Sequence, residues 1–469
     1  MTTLDFSREH RQWEFIEAIR ERFEGKSAKY FVKTYGCQMN EHDSEALAGM
    51  MGEMGLTATE NVEEATVVVI NTCCVREHAE VKVHGNVGAL RLMKAERPDM
   101  LICVCGCMMQ QADVAQALAA KFPFIDLIFG THRVHMFPEL LHRAALSDST
   151  VIDVTDSEGI IVEHMPAARV EGCTAWVTIM YGCNNFCSYC IVPYVRGRER
   201  SRDSEDILAE IRDLVSRGVK EVTLLGQNVN SYGKNLDKPM SFTELLYAIH
   251  DIEGLERIRF MTSHPKDLSD ELIEAFGKLP KLCHHLHLPV QSGDDEILRR
   301  MNRRYTSEQY LSLVDRLRAA CPDIALTTDL IVGFPGETRE QFENTVKLVR
   351  KAGYDGAFSF KYSPREGTPA AQMEEQIDDN EKKARLAELN AALDEIGQPL
   401  HEAYLGKTVE VLVERVNERR TGQLTGKTST NKTVNFEGPE EWVGQLVTVK
   451  ITTIKAHTLF GEAVDVKKG

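Results

Sequence analysis

The sequence predicts an α/β protein that ends in a small all-β domain. From Lys29 to Tyr362, short apolar strands alternate with helices, a pattern typical of parallel sheets covered by helices. From Gly406 to Gly469, short alternating strands are separated by turns, which is typical of a small barrel. A chain of 469 residues agrees with about three domains.

We expect five segments along the chain, distinguished by their hydrophobic periods and polar stretches. They are a helical extension (1–27), an N-terminal α/β domain (28–144), a polar linker (145–170), a central α/β domain (171–400) and a C-terminal barrel (401–469).

Composition limits the class of protein. Hydrophobic residues make up 43% of the chain, and no apolar run approaches the ~20 residues that span a bilayer. The N-terminal segment from Thr2 to Glu24 is charged and lacks a signal-peptide core, so we expect a monomeric cytoplasmic protein without membrane contact. Twelve cysteines in such a protein indicate metal ligation or thiol chemistry rather than disulfides.

The net charge of -16 argues against bulk electrostatic binding of nucleic acid. Any contact with RNA would come from local groups of arginines, although for any single group a solvated helix or loop face is the better explanation. The groups are Arg196, Arg198, Arg200 and Arg202; Arg299, Arg300, Arg303 and Arg304; and Arg415, Arg419 and Arg420.

Three predicted strands of the N-terminal domain are each followed by a cysteine. Ligands bind beyond the carboxyl ends of parallel strands, so we expect the three cysteines to converge; three unrelated core thiols are the alternative. The strands are Lys29–Tyr35 before Cys37, Ala65–Thr72 before Cys73, and Met100–Gly106 before Cys107. The predicted helices that follow them are Asp43–Met54, Glu77–Glu96 and Gln110–Ala120.

Three further cysteines lie close to this trio in the sequence. Cys74 follows Cys73 directly, and only one of the two can easily point into a shared site. Cys103 and Cys105 share one face of the predicted strand with Cys107, but they lie further from its end. We expect Cys103 and Cys105 to be buried core thiols.

The central domain contains six predicted strands alternating with helices, which suits an open, partial (β/α)6 barrel. The strands are Ala175–Tyr181, Glu221–Leu225, Arg257–Thr262, His285–Val290, Ala325–Val332 and Ala357–Tyr362. Polar, glycine-rich segments follow these strands and predict a concave rim for a ligand. Nearby, His284, His285 and His287 are expected to be structural, and Cys283 and Cys321 to be core thiols.

The loop after the first of these strands carries Cys183, Cys187 and Cys190 with C-x3-C-x2-C spacing. Three thiolates on one loop can hold a metal centre without closing a four-ligand site. The alternatives are a zinc knuckle lacking a local fourth ligand and a disulfide pair with a spare thiol. The second cysteine pair that zinc sites usually contain does not follow this loop.

This loop resembles the signature of the radical S-adenosylmethionine (radical SAM) enzymes. The resemblance implies a [4Fe-4S] cluster on Cys183, Cys187 and Cys190, with SAM on the open iron and Tyr189 near its adenine. It also makes Gln227, Asn228, Gln291, Ser292 and Asp329 candidates for holding SAM or the target base. For any one of these residues, capping or bracing of a loop is an equally good explanation.

The motifs Tyr35-Gly-Cys-Gln-Met-Asn40, Asn71-Thr-Cys-Cys-Val-Arg-Glu77 and Gly106-Cys107-Met108 resemble the N-terminal domain of the methylthiotransferases. The resemblance implies a flavodoxin-like sheet domain in which Cys37, Cys73 and Cys107 hold a second, auxiliary [4Fe-4S] cluster. The family often has a small residue where Cys74 stands. The C-terminal barrel resembles the RNA-binding TRAM domain, with phosphate contacts expected from Arg415, Arg419, Arg420, Lys427 and Lys432.

The resemblance implies methylthiolation of C2 of N6-(dimethylallyl)adenosine at position 37 in tRNA. SAM would serve both as methyl donor and as the source of a 5′-deoxyadenosyl radical. The implied partners are a tRNA anticodon loop carrying that nucleoside and an electron donor such as flavodoxin or ferredoxin. The alternatives are a methylthiotransferase acting on another tRNA nucleoside or on a ribosomal protein side chain, and a non-catalytic RNA-binding iron–sulfur sensor.

Overall fold

The computed structural model describes residues 3–74, 77–155, 161, 163, 172–418 and 420–467. Half of the predicted linker, 145–170, and also Arg419 lie outside these residues. The chain packs as two compact units: the first comprises 1–170, 181–184 and 191–200, and the second comprises 171–180, 185–190 and 201–469. No helix in the described part of the chain is both long and apolar enough to cross a membrane.

The first unit contains a six-stranded parallel sheet in the order β2-β1-β3-β4-β5-β6, the order of flavodoxin-like folds. Its strands are β1 (Lys29–Thr34), β2 (Thr57–Ala58), β3 (Val67–Thr72), β4 (Leu101–Gly106), β5 (Leu127–Phe129) and β6 (Val151–Asp153). Its helices are α1 (Thr3–Phe23), α2 (Gln38–Glu53), α3 (Glu77–Glu96), α4 (Ala112–Lys121), α5 (Phe137–Ala145) and the short α6 (Val192–Val195).

The three strands and three helices expected in this unit are confirmed, while β2, β5, β6 and α5 were missed. The missed strands have only two or three residues, too few for a period to emerge. All residues of β3 and β4 are buried, as expected for central strands covered on both faces. Cys103 and Cys105 are buried in the sheet's apolar core, as expected.

The second unit contains six parallel strands that form the partial barrel predicted from the sequence. They are β7 (Thr174–Thr178), β10 (Glu221–Leu225), β11 (Arg257–Phe260), β12 (His285–His287), β13 (Ala325–Val332) and β14 (Gly356–Lys361). Between β7 and β10 lie the two-residue strands β8 (Met180–Tyr181) and β9 (Arg200–Ser201). Ladders join β11-β10-β7 and β12-β13-β14, and a parallel bridge between Ile258 and Leu282 connects the two groups.

Helices cover the outer face of this barrel, and polar caps fix where several of them begin. They are α7 (Ser204–Ser216), α8 (Phe242–His250), α9 (Asp270–Lys278), α10 (Asp295–Arg300), α11 (Ser307–Ala320), α12 (Arg339–Ala352) and α13 (Asp379–Glu402). Capping boxes start α8, α11 and α12 at Ser241, Thr306 and Thr338. On β13, Leu330 and Val332 are buried in the core.

Five strands close the C-terminal barrel in the order β15-β16-β17-β19-β18. They are β15 (Thr408–Val416), β16 (Gln423–Thr428), β17 (Thr433–Glu437), β18 (Leu446–Lys455) and β19 (Thr458–Lys467). Gln423 to Thr428 includes a glycine and two threonines in a polar run, so its strand pattern is weak.

Buried charges join this barrel to the partial barrel of the same unit. Arg259 pairs with Glu221 at 2.7 Å and donates to the carbonyl oxygen of Thr428 at 2.6 Å. Lys432 is buried and pairs with Asp355 at 2.8 Å. The expectation that Lys432 contacts phosphate is therefore wrong, because its ammonium group is used within the protein.

Replacing Arg259 with alanine is expected to destabilise the second unit by about 3 to 5 kcal/mol. The change leaves the Glu221 carboxylate buried without its partner and removes the donor to Thr428. Urea unfolding followed by circular dichroism measures the loss. Arg299→Ala is the matched control, because its side chain is 72% exposed and its pair with Glu296 lies at the surface. An equally small effect of both changes would contradict the prediction.

Candidate functional site

The structure brings Cys37, Cys73 and Cys107 together around Asn40, at the carboxyl ends of β1, β3 and β4. The thiols of Cys37 and Cys107 lie 3.9 and 3.6 Å from Asn40 Oδ1. The Asn40 amide group donates to the carbonyl oxygen of Thr72, next to Cys73, at 2.8 Å. Cys73 and Cys107 are buried, whereas Cys37 is exposed.

Glycines before two of these cysteines permit the close approach of the strand ends. Gly36 has φ of 128°, and a Cβ there would lie 2.8 Å from Cys73 Cβ. Gly106 has φ of 98°, and a Cβ there would overlap the backbone of Thr72. Side chains at both positions are excluded by conformation and by space. Both glycines stand in the motifs quoted from the sequence, Tyr35-Gly-Cys-Gln-Met-Asn40 and Gly106-Cys107-Met108.

Cys74 also belongs to this group. Its thiol donates a hydrogen bond to Cys107, which lowers the pKa of Cys107, while that bond and burial raise the pKa of Cys74 well above its usual value. Since Cys74 touches Cys107 and Cys73 packs against Gly36, both neighbouring thiols lie in the group.

Arg196 completes this site, although it was expected either to contact RNA or to lie on a solvated face. Its side chain is buried, Nε donates to Cys107 Sγ at 3.2 Å, and Nη2 donates to Asn40 Oδ1 at 2.9 Å. Nη2 also lies 2.7 Å from the Asp43 carboxylate. Arg196 is thus unavailable to RNA, and the same holds for Arg202, which is buried against Glu210 at 2.7 Å.

In the C-x3-C-x2-C loop, Cys183 and Cys187 are buried and Cys190 is half-buried. The Cys183 amide donates to the carbonyl oxygen of Gly197 at 3.1 Å, and the Cys190 amide donates to that of Cys187 at 2.9 Å. Phe186 has φ of 47°, and Asn302 Nδ2 donates to its carbonyl oxygen at 2.9 Å. Backbone bonds therefore shape the loop that carries the three thiols.

A buried arginine also contacts this loop. Arg303 Nη1 donates to Cys187 Sγ at 3.4 Å, and Nη2 donates to the carbonyl oxygen of Pro289 at 2.7 Å. Its expected place in an exposed patch is therefore wrong. Arg303 therefore places a buried positive charge beside the Cys187 sulfur.

Tyr189 lies in an apolar cluster at the end of the partial barrel. Its half-buried ring packs with Ile331 against a core formed by Ile297, Met301, Phe334, Tyr362 and Ala370. Burial raises the pKa of its hydroxyl, so Tyr189 stays neutral. The ring can therefore offer an apolar surface beside the cysteine loop.

Several buried polar atoms at the ends of β10 and β11 have no hydrogen-bond partner among the described residues. They are Asn228 Oδ1, Ser263 Oγ and His264 Nε2. The Asn228 amide nitrogen is held by Asp267 at 2.8 Å, which fixes the direction of Oδ1. Buried atoms of this kind are normally satisfied, so they suit a polar ligand. Ser263 and His264 were not among the candidates chosen from the sequence.

The other candidates differ in what they contact. Gln291 has φ of 70°, and its backbone forms hydrogen bonds with Asp329 and Ile331 of β13. Gln227 is half-buried. Asp329 lies 3.4 Å from His287 Nε2. The Ser292 hydroxyl is fully buried, lies 3.3 Å from Thr345 Oγ1 and accepts from the Asp294 amide, which fits a bracing role.

Both cysteine sets fit iron–sulfur clusters by their donor chemistry. Three thiolate ligands from each set would leave one iron without a protein ligand. Each set also has a buried guanidinium within hydrogen-bonding distance of one sulfur. The partnerless atoms of Asn228, Ser263 and His264 fit a polar, charged cofactor such as SAM.

Protonation of His264 is expected to destabilise the protein in mild acid. Burial, followed by the charges of Arg303 and Lys266, lowers its pKa from 6.5 to about 2. The neutral ring therefore contributes stability that is complete above pH 6.5 and is lost as the pH falls below it, at about 1.4 kcal/mol per pH unit.

Urea unfolding of the cofactor-free protein at about pH 7.5 and pH 5.5 tests this linkage. In the parent protein, His264 Nδ1 accepts a hydrogen bond from the Lys266 amide at 3.2 Å. His264→Asn keeps an acceptor for that amide but cannot take up a proton in this pH range. It should lose less stability than the parent protein on acidification. Equal losses would show that His264 is not the responsible group.

A partial barrel of six parallel strands, with a C-x3-C-x2-C loop past its first strand, defines the class of the radical SAM enzymes. Family models match the Radical SAM superfamily over residues 177–349, the uncharacterized protein family UPF0004 over 29–130 and the TRAM domain over 402–464. Two relatives are tRNA-2-methylthio-N(6)-dimethylallyladenosine synthases. That of Alkaliphilus oremlandii is 52% identical over 97% of this chain and 96% of its own length. That of Caldicellulosiruptor saccharolyticus is 53% identical over 98% of each chain.

The chain belongs to the family of the tRNA-2-methylthio-N(6)-dimethylallyladenosine synthases. The resemblance found in its cysteine motifs is thereby confirmed, and with it the two clusters and SAM that the family implies.

Solved structures are similar in fold. The radical S-adenosylmethionine methyltransferase TsrM from Kitasatospora setae aligns with a TM-score of 0.52 and 14% identity, covering 74% of this chain and 75% of its own. The cobalamin-dependent S-adenosylmethionine radical enzyme OxsB aligns with a TM-score of 0.51 and 12% identity, covering 78% of this chain and 57% of its own.

Proposed function

We propose that this protein adds a methylthio group to C2 of N6-(dimethylallyl)adenosine at position 37 in tRNA. One observation carries the proposal: the chain holds two separate sets of three cysteines, one beyond the sheet of the first unit and one on the radical SAM loop. A radical generator alone needs only one such set. A second set with its own open iron suits an enzyme that must also insert sulfur, and membership of the family supports this.

In this proposal Cys183, Cys187 and Cys190 hold the radical-generating cluster, and Cys37, Cys73 and Cys107 hold the auxiliary cluster. When bound, the two clusters and SAM supply the electron, the carbon radical, the methyl group and the sulfur atom. The chain's own work is to bind, orient and shield these groups.

Specific residues carry out that work. Burial of Cys73, Cys107, Cys183 and Cys187 limits access of water to the reactive groups. Asn228 Oδ1 offers SAM a buried acceptor and Ser263 offers a hydroxyl. His264 offers an Nε2–H donor, because its Nδ1 accepts from the Lys266 amide. Tyr189 presents its ring to the adenine of SAM. Arg303 partly offsets the negative charge of the thiolates near Cys187.

Exposed arginines are proposed to position the RNA through its phosphates. Arg415 and Arg420 lie exposed on the C-terminal barrel, and Arg304 lies exposed beside the buried Arg303. Contacts of this kind fix the register of a nucleic acid without reading its sequence. The unpaired bases of an anticodon loop can turn outward, so the base at position 37 can enter a pocket without opening a helix.

The reaction also requires a one-electron reductant and a suitable compartment. We infer that a flavodoxin or ferredoxin reduces the radical SAM cluster, that the protein acts as a monomer, and that it works in the cytoplasm where tRNA is used. Size-exclusion chromatography with light scattering tests the monomer.

Mass spectrometry of tRNA nucleosides tests the proposed reaction. Cells lacking this protein should accumulate N6-(dimethylallyl)adenosine and lack its 2-methylthio derivative, and re-expression should restore that derivative. Loss of a methylthio group from another tRNA nucleoside, or from a ribosomal protein, would assign the sister activities instead. Unchanged tRNA and protein methylthiolation would contradict the proposal.

A further inference from the structure

Arg196 places a charged side chain at the centre of the first unit's cysteine group. The residue lies six positions after Cys190 in the chain and directly follows α6. Its guanidinium has three partners: Cys107 Sγ at 3.2 Å, Asn40 Oδ1 at 2.9 Å and Asp43 Oδ2 at 2.7 Å. Two of these partners, Asn40 and Cys107, belong to the group in which we place the auxiliary cluster.

The surroundings hold this guanidinium in one orientation. Arg196 and Asp43 are both buried, and α6 is fixed by Thr131, whose hydroxyl donates to the carbonyl oxygen of Val195 at 2.6 Å. Ile191 and Val195 pack against Cys107 in one apolar cluster. A buried charge is costly unless it is paired. The Arg196 guanidinium is paired with one carboxylate and lies beside one sulfur, and its electrostatic interaction with that sulfur is strong in the low-dielectric interior.

Three thiolates around an iron–sulfur core concentrate negative charge in a buried place, and reduction of the core adds more. Hydrogen bonds to ligand sulfurs and nearby charges are the protein's means of setting a cluster's reduction potential. An arginine that served only to join α6 to the sheet would need Asp43 and Asn40, but would gain nothing from aiming Nε at Cys107.

We propose that Arg196 is a positioning residue that raises the reduction potential of the auxiliary cluster through its contact with Cys107, and that Asp43 limits this effect. The inference rests on the proposed function only in taking Cys37, Cys73 and Cys107 as the auxiliary ligands. It predicts opposite shifts: loss of the positive charge lowers the potential, and loss of the Asp43 charge raises it.

The test uses the full-length chain with Cys183, Cys187 and Cys190 changed to alanine, so that the auxiliary cluster alone can be reconstituted. Redox titration followed by electron paramagnetic resonance gives its midpoint potential. In Arg196→Met, the ratio of reduced to oxidised cluster at a fixed potential should fall about tenfold, which is about 59 mV for a one-electron couple. Asp43→Asn should shift the ratio the other way, and Arg196→Lys should shift it less than Arg196→Met.

Arg91→Met is the matched control, because Arg91 lies exposed on α3 of the same unit. It should leave the potential unchanged. Equal potentials for Arg196→Met and the control, or shifts of the same sign in Arg196→Met and Asp43→Asn, would overturn the role of Arg196. If Arg196→Met takes up no iron, Arg196→Lys and Asp43→Asn decide by the sign of their shifts.

Failure of the proposed cluster ligands gives a different result. If the starting chain, with Arg196 intact, takes up no cluster after reconstitution, the assignment of Cys37, Cys73 and Cys107 is wrong and the inference falls with it. A cluster that assembles but ignores Arg196 leaves that assignment standing and overturns only the inference.

Discussion

Cys183→Ala should abolish the cleavage of SAM to methionine and 5′-deoxyadenosine. Replacing outer partners of a metal ligand typically costs 10–100-fold in affinity or activity, so removing one of three thiolate ligands should lower the cleavage rate by more than about 100-fold. Cys183 is buried, and its amide donates to the carbonyl oxygen of Gly197. Liquid chromatography of the dithionite-reduced, reconstituted protein with SAM measures the product.

Cys283→Ala is the matched control for this change. Cys283 is buried in the same structure, and burial raises the pKa of its thiol to about 11, as expected of a core thiol. The control should retain both its iron and its SAM cleavage. Undiminished 5′-deoxyadenosine formation by Cys183→Ala would contradict the assignment of the radical SAM loop.

Cys107→Ala should spare SAM cleavage and stop the insertion of sulfur. Cys107 touches Cys74, Asn40 and Arg196 within the first unit, and its loss removes one proposed ligand of the auxiliary cluster alone. We expect 5′-deoxyadenosine to form while 2-methylthio product falls by more than about 100-fold. Both products are measured in one reaction with tRNA that carries N6-(dimethylallyl)adenosine.

Cys105→Ala is the control for this prediction, because Cys105 lies on β4, two residues before Cys107, and is buried in the apolar core. It should keep the methylthio product. Methylthiolated tRNA formed by Cys107→Ala would show that the sulfur site is placed wrongly. Loss of SAM cleavage as well would show that the two cysteine sets are not separable.

Because Cys74 contacts Cys107, the variants Cys73→Ala and Cys74→Ala can show which of the two neighbouring thiols is a cluster ligand. Motif alignment favoured Cys73 as the ligand, and the structure places both thiols in the group. Iron content of the reconstituted auxiliary cluster in the two variants distinguishes them, since only loss of a true ligand should lower it.

The sequence predicted the architecture well where its periods were long. Six strands of the partial barrel and three of the flavodoxin-like sheet lie where apolar runs indicated them. Strands of two or three residues such as β2, β5 and β6 were missed, because two residues cannot display an alternation.

The candidate site was also predicted only in part. The cysteines were predicted as ligands because thiols at fixed spacing are rare and chemically specific. The hydrophobic pattern also predicted the strand ends, where parallel sheets bind ligands. Arg196, Arg303 and Lys432 were misjudged as surface charges, because a sequence does not show which side chains meet. A charge is inexpensive on the surface and costly inside, and only folding reveals the partners that offset the cost.

Local periods in the sequence predicted the fold class, and its cysteine motifs predicted which thiols act together. The environment of those cysteines became visible only in the folded protein. It placed Arg196 against Cys107, Arg303 against Cys187, and partnerless polar atoms at the ends of β10 and β11. These relations join residues far apart in the chain, and they exist because packing excludes water and forces each buried charge to find a partner.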